Sequence, residues 1–353
     1  MDQILASPPA ISAPEWAIFY NGRLTPCKGP YFTPEMRILL VKTSSLGDVI
    51  HNLPVAADIA RHIPGAEIDW CVEESFADIP RLSPAVRRII PVAVRRWRKS
   101  LLTGATWREI GALRQTLREH DYDAILDTQG LLKSALIACQ ARGHHLGYDA
   151  DSAREPVAAR FYDAHFRVDR ALHAVIRNRL LAGAALDYTP EAALDYGIAA
   201  PGFQADWLPA GPLAVLLTAT SRDDKLWPES EWIIVARDLI RRGLTPVLPG
   251  GNVTERERAA RIAQAVDGAV AAPALGIREL AGIIARSRLA IGVDTGLAHL
   301  ATALKIPTLA LYTATDPALT GVLGSGWFRN LGGKNASPSA TEVLTAADEA
   351  LQA

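Results

Sequence analysis

The chain has 353 residues, 49% of them hydrophobic and 21% charged, with 37 basic side chains against 38 acidic ones. At roughly 150 residues per domain this is about two domains, each large enough for its own core. A formal net charge of −1 excludes a general nucleic-acid binder, and the apolar, charge-balanced composition excludes a disordered chain. Cys27, Cys71 and Cys139 are far apart and form no C-x-x-C pair, which argues against a zinc knuckle or a disulfide framework. No apolar run approaches the ~20 residues that cross a bilayer. The first segment, MDQILASPPAISAPEW, lacks the basic start of a secretory signal. A cytoplasmic location is expected.

Residues 1–35 are broken by Pro8, Pro9, Pro14, Pro26, Pro30 and Pro34, a density that no regular element survives. They read as a flexible extension before a second possible start at Met36. Beyond it, strands are predicted at 37–42, 67–72, 88–92, 123–127 and 145–148, with helices at 47–62, 107–119 and 130–141. A helix at 173–186 leads into a Pro/Gly-rich loop around 200–212, where the pattern starts again. Strands follow at 213–218, 244–248, 268–271, 288–293 and 307–312, and helices at 229–242, 254–266, 277–286 and 296–304. Apolar strands separated by helices indicate parallel sheets covered on both faces. The expected fold class is therefore α/β, with two facing Rossmann-like doubly wound domains, at 36–205 and 206–338. A last helix in 339–353 is expected to pack back on the first domain. Such a pair places a ligand cleft between the carboxyl ends of the strands.

Three polar turns stand at strand ends. The first, Thr43-Ser44-Ser45-Leu46-Gly47-Asp48, presents backbone N–H groups and a carboxylate. Asp48 reads equally as a capping partner of Ser45 or as a carboxylate facing the cleft. His51, one turn on, reads as a packed or surface histidine. The second turn, Thr220-Ser221-Arg222-Asp223-Asp224-Lys225, puts a lysine just before a helix start. Lys225 can reach a phosphate as a point charge, or simply pair with Asp223 or Asp224. In the third, Asp294-Thr295-Gly296 opens a helix that carries His299, and its N–H groups suit a diphosphate as well as they suit a plain helix cap. None of these turns is a G-x-G-x-x-G or a Walker-type phosphate loop. Asp121-Tyr122-Asp123 and Asp149-Ala150-Asp151 match the loose Asp-x-Asp pattern of metal-dependent sugar transferases but read as turn aspartates. The run Arg95-Arg96-Trp97-Arg98-Lys99 is a basic patch, either a solvated loop or a contact for an anionic acceptor or lipid headgroups.

Together MRILLVKTSSLGDVIHNLPV from Met36, IIPVAVRRWRK at 89–99, DTQGLLKSAL at 127–136, AREP at 153–156, TSRDDKLWPE at 220–229 and VDTGLAHL at 293–300 closely resemble the lipopolysaccharide heptosyltransferase I family. The resemblance implies the two-domain GT-B fold and an inverting transfer of L-glycero-D-manno-heptose from ADP-heptose to the first Kdo of Kdo2-lipid A, at the cytoplasmic face of the inner membrane. It implies Asp48 as general base and Lys225 on the donor diphosphate. Thr220, Ser221, Thr295, Gly296 and His299 would line the donor site, with Glu255 near the ribose, Asp294 near the heptose and Leu275 by the adenine. Position 221 is serine where threonine is found elsewhere in the family, and the extension before Met36 departs from it. The acceptor side is expected to hold Ser44, Ser45, Gly47, Arg95, Arg96, Arg98, Lys99, Gln129 and Lys133. No metal or other cofactor is expected, because a lysine and a helix terminus can neutralise the leaving diphosphate. The rival readings are a second-heptose transferase of the same family, a nicotinamide-dependent oxidoreductase and a two-lobed solute-binding protein.

Overall fold

The computed structural model describes residues 36–353; the proline-rich extension and its expected flexibility lie outside the described residues. In the first half, strands β1 (Arg37–Val41), β2 (Glu67–Glu73), β3 (Val86–Val92), β4 (Asp121–Asp127), β5 (Arg142–Tyr148) and β6 (Ala164–Phe166) form one sheet. Its helices are α1 (Leu46–Ile50), α2 (Leu53–His62), α3 (Val94–Trp97), α4 (Gly104–Leu117), α5 (Leu132–Ala138) and α6 (Ala174–Ala185). In the second half, β7 (Leu213–Leu217), β8 (Thr245–Leu248), β9 (Val270–Ala271), β10 (Leu289–Val293), β11 (Thr308–Tyr312) and β12 (Phe328–Gly332) form another. Helices α7 (Glu229–Arg241), α8 (Val253–Gln264), α9 (Ile277–Arg286), α10 (Gly296–Ala303) and α11 (Ala340–Gln352) cover it.

The strand orders are β3-β2-β1-β4-β5-β6 and β12-β11-β10-β7-β8-β9, and every pairing between them is parallel. Parallel strands covered on both faces need continuous apolar runs, which is why Ile38, Leu39, Leu40 and Val41 are all fully buried. Each such side chain contributes about 1.5–3 kcal/mol of burial free energy. In each sheet the order reverses once, between β1 and β4 and between β7 and β10. At such a switch point two loops diverge and leave a crevice beyond the strand ends. The three polar turns of the sequence all open at these two places.

Several expectations are corrected. The helix expected at 47–62 is two, α1 and α2, broken at His51-Asn52. Pro54 has no N–H to donate, and its ring would collide with the Ile50 carbonyl in a continuous helix. Asp121 and Asp123 do not form a turn: they open β4, and Asp123 accepts a hydrogen bond from the Arg37 backbone N–H at 2.7 Å. The edge strands β6 and β12, and the turn of helix α3 within the basic patch, were not anticipated. Helix α11 packs on the second half, not the first. Its small face, Ala340, Val343, Ala346, Ala347 and Ala350, lets it sit close on the cluster that contains Trp232 of α7. Its start is fixed there by the Ala340 backbone N–H donating to Glu231 at 2.7 Å.

Candidate active site

The turn between β1 and α1 is built from the neighbouring loop. Gln129, just past β4, accepts from the Thr43 backbone N–H at 2.7 Å and the Thr43 hydroxyl at 3.0 Å, and donates to the Ser44 carbonyl at 2.6 Å. Its side chain is buried and its amide is spent on this bracket, so it does not face a ligand as expected. It holds the turn that carries Asp48.

Asp48 takes the capping role at the start of α1. Oδ2 accepts from the Ser45 backbone N–H at 2.7 Å and the Ser45 hydroxyl at 3.1 Å, and lies 3.4 Å from the Arg154 guanidinium. Oδ1 accepts no hydrogen bond from any described residue. The helix start uses only one of the two carboxylate oxygens. Burial pushes the carboxyl upward, but Lys42, Arg154 and the Ser45 donors outweigh it and hold the group below its ordinary value.

Lys42, missed in the sequence, is buried at the end of β1 and donates to the Thr128 carbonyl at 2.7 Å and to Asn178 Oδ1 at 3.3 Å. Burial brings its ammonium down to about 8. Its signal was a lysine ending an otherwise apolar run. Lys133 donates to the Ser44 hydroxyl at 2.7 Å, which brings these two residues together beside the β1–α1 turn. Burial lowers its pKa, with Arg95 and Arg98 acting in the same direction against Glu73 and Asp48. Arg154 lies in the AREP motif, and only the fold brings it to Asp48.

The second half repeats the arrangement at its own switch point. Lys225 donates to Asp294 Oδ2 at 2.6 Å, and the Thr315 hydroxyl donates to the same oxygen at 2.7 Å. The Thr220 hydroxyl donates to the Asp294 carbonyl at 3.0 Å and ties the β7 turn to the β10 turn. Lys225 therefore pairs with neither Asp223 nor Asp224 but with the aspartate just past the end of β10. Thr295 is the N-cap of α10 and makes no side-chain cap bond, leaving the first-turn N–H groups without a side-chain acceptor. Ser221 is exposed beside this turn, and Leu275 is half-buried before α9. Glu255 is committed locally: it accepts from the Gly251 N–H at 2.7 Å and from the Asn252 side chain at 2.8 Å, closing a capping box on α8.

Helices α1 and α10 bring the two switch points together. A Cβ at position 296 would lie 2.6 Å from Leu46 Cγ, so only glycine permits this approach. A Cβ at position 47 would meet the His299 ring at 3.4 Å, an ordinary van der Waals contact, so glycine is not required there. His51 is packed, and its partner is His299: Nε2 of one lies 3.1 Å from Nδ1 of the other, with the rings edge to face. His173 stands 5.6 Å from the His51 ring and donates from Nε2 to the Gly321 carbonyl of the second half. Burial, reinforced by neighbouring imidazoles and cations, holds His51 well below the usual histidine range, and burial brings His299 down to about 4 against the opposing Asp294 and Asp48 carboxylates.

The basic patch divides. Arg96 is not a free acceptor contact: it bridges Glu74 and Glu109 at 3.1 and 2.8 Å. Arg95, Arg98 and Lys99 are exposed, with the Arg95 guanidinium over the Phe76 ring. Asp121 opens β4, and Asp149 accepts from the Ser152 N–H at 2.8 Å; among the described residues, neither joins a cluster of metal-ligating side chains.

The sequence pattern of glycosyltransferase family 9 (heptosyltransferase) matches residues 110–343. The lipopolysaccharide heptosyltransferase 1 of Pseudomonas aeruginosa is 48% identical over 294 residues, 82% of each chain. Among solved structures, the E. coli heptosyltransferase WaaC with ADP superposes with a TM-score of 0.83 at 39% identity, covering 89% of this chain and 100% of that one. The same enzyme with ADP-2-deoxy-2-fluoro heptose gives 0.81 at 38% identity, with 89% and 99% covered. The resemblance and the two-domain fold read from the motifs are borne out. The chain belongs to glycosyltransferase family 9, the heptosyltransferases, and is a glycosyltransferase of the GT-B architecture.

Proposed function

We propose that this enzyme transfers L-glycero-D-manno-heptose from ADP-heptose to the first Kdo of Kdo2-lipid A, with inversion at the anomeric carbon. The observation that carries this reading is the packing of α1 on α10. It sets the Asp48 turn of one half against the helix terminus and the Lys225–Asp294 pair of the other.

The chemistry follows from that placement. A sugar hydroxyl is a poor nucleophile, the anomeric carbon becomes oxocarbenium-like, and the departing diphosphate gains charge. Asp48 is ionised at neutral pH and accepts the hydroxyl proton at its free oxygen. Lys225 exchanges Asp294 for the diphosphate, and the Thr295 and Gly296 N–H groups receive a second phosphate oxygen along the helix dipole. Asp294, released on that side, faces the heptose. Lys133, Ser44 and Arg154 supply donors and positive charge where the carboxylate of an acidic sugar would lie. The enzyme works at the cytoplasmic face of the inner membrane, where its lipid-linked acceptor is found, and needs no metal.

The test is ADP release from ADP-heptose with and without Kdo2-lipid A, repeated in chelator. Release only with the Kdo-bearing acceptor, and unaffected by EDTA, is the expected result. Release that requires an already heptosylated acceptor would move the enzyme to the second step, and EDTA loss restored by Mg²⁺ would give the countercharge role to a cation.

A further inference from the structure

The turn between α3 and α4 carries apolar side chains outward. Leu102 is 102% exposed, Trp107 61% and Leu101 49%, whereas the other exposed large apolar side chains among the described residues come from separate elements. A leucine fully in water contributes nothing to folding, so this turn is not shaped by core packing. Its polar groups are used internally instead. The Ser100 and Thr103 hydroxyls both meet the buried Thr106 hydroxyl at 2.9 Å, and Thr103 caps α4. Trp107 Nε1 donates to the Leu101 carbonyl at 2.9 Å, so the indole has its polar edge satisfied and its ring free. At the base, buried Trp97 donates to Glu109 at 2.7 Å, and Arg96 binds the same carboxylate. The result is a braced turn with an apolar tip.

Residues 95–108 hold five basic side chains and no acidic one. Arg95, Arg98, Lys99 and Arg108, in and beside this turn along the chain, are all exposed. Projecting leucines flanked by an indole and cations match the layers of an anionic membrane surface: acyl boundary, interface and headgroups. A protein segment would instead be seated in a groove. We propose that the α3–α4 turn docks on an anionic phospholipid bilayer, with Leu101, Leu102 and Trp107 entering the interface and Arg95, Arg98, Lys99 and Arg108 against the headgroups. The peripheral location proposed above motivates this placement, but docking needs neither substrate, so its failure leaves the reading of the catalytic site standing.

The experiment is flotation of the full-length chain with vesicles of phosphatidylethanolamine and phosphatidylglycerol, and with vesicles of phosphatidylcholine alone. Binding is expected to the anionic vesicles and to fall with salt. The paired change Leu101→Ser and Leu102→Ser should lower partitioning by roughly tenfold or more at an unchanged thermal midpoint, because both side chains are exposed. Leu102→Trp alone should raise it. Equal binding by wild type and the serine variant, or no binding by either, would overturn the proposal. So would wild-type self-association that the serine variant abolishes, since the tip would then be a contact between copies of this chain.

Discussion

At Asp48, a helix cap and a candidate base are the same carboxylate, because Oδ2 takes the Ser45 donors and Oδ1 takes none. The residue type and its place after a strand were legible in the sequence, and so was Lys225 just before a helix. Partners set by tertiary packing were not: Arg154 and Thr315 come from loops far along the chain, and Lys42, though next to the Asp48 turn, ends a strand whose burial only the fold reveals. Lys225 is held by Asp294, which Thr315 holds in turn. Lys225→Ala should therefore lower kcat by ~10²–10³ and weaken donor binding, as expected when one stabiliser of a developing charge is removed. Thr315→Val should raise donor KM more than it lowers kcat, while Thr315→Ser restores both. Steady-state kinetics on the three variants check this, and identical kinetics for valine and wild type would remove Thr315 from the site.

At the scale of elements, the apolar strand runs and the Pro/Gly-rich joint were readable because a doubly wound sheet imposes both. The edge strands were not. β6 is three residues long, and β12, Phe328–Gly332, carries arginine and asparagine where a central strand would be apolar. Gln129 shows a different limit: its residue type fits a sugar contact, and only the fold reveals that its amide faces the β1–α1 turn. Gln129→Leu leaves the Thr43 N–H and the Ser44 carbonyl without their partner, at a cost of about 1–3 kcal/mol. Thermal unfolding should show that loss, and acceptor-dependent turnover should fall with it. A variant of unchanged stability and raised acceptor KM would return Gln129 to direct contact.

At the scale of the molecule, the two halves meet through buried imidazoles. His299 faces His51, His173, Asp294, Asp48 and Lys225, and burial keeps it and His51 neutral. Their folded-state values lie below the unfolded value near 6.5. The stability they contribute is therefore fully present above that pH and is lost as pH falls toward 4. The slope is at most about 1.4 kcal/mol per pH unit for each histidine that titrates. Thermal midpoints between pH 7.5 and 5 should fall accordingly, with a shallower fall in His299→Gln. The central claim is that one half supplies the base and the other the countercharge. Asp48→Asn tests it most directly, with turnover and ADP-heptose affinity measured on the same preparation. Asparagine keeps the cap and removes the base, so kcat should drop by ~10²–10⁴ while donor affinity stays within error of wild type. Near-native turnover in Asp48→Asn would contradict the account and leave Asp48 as a helix cap alone.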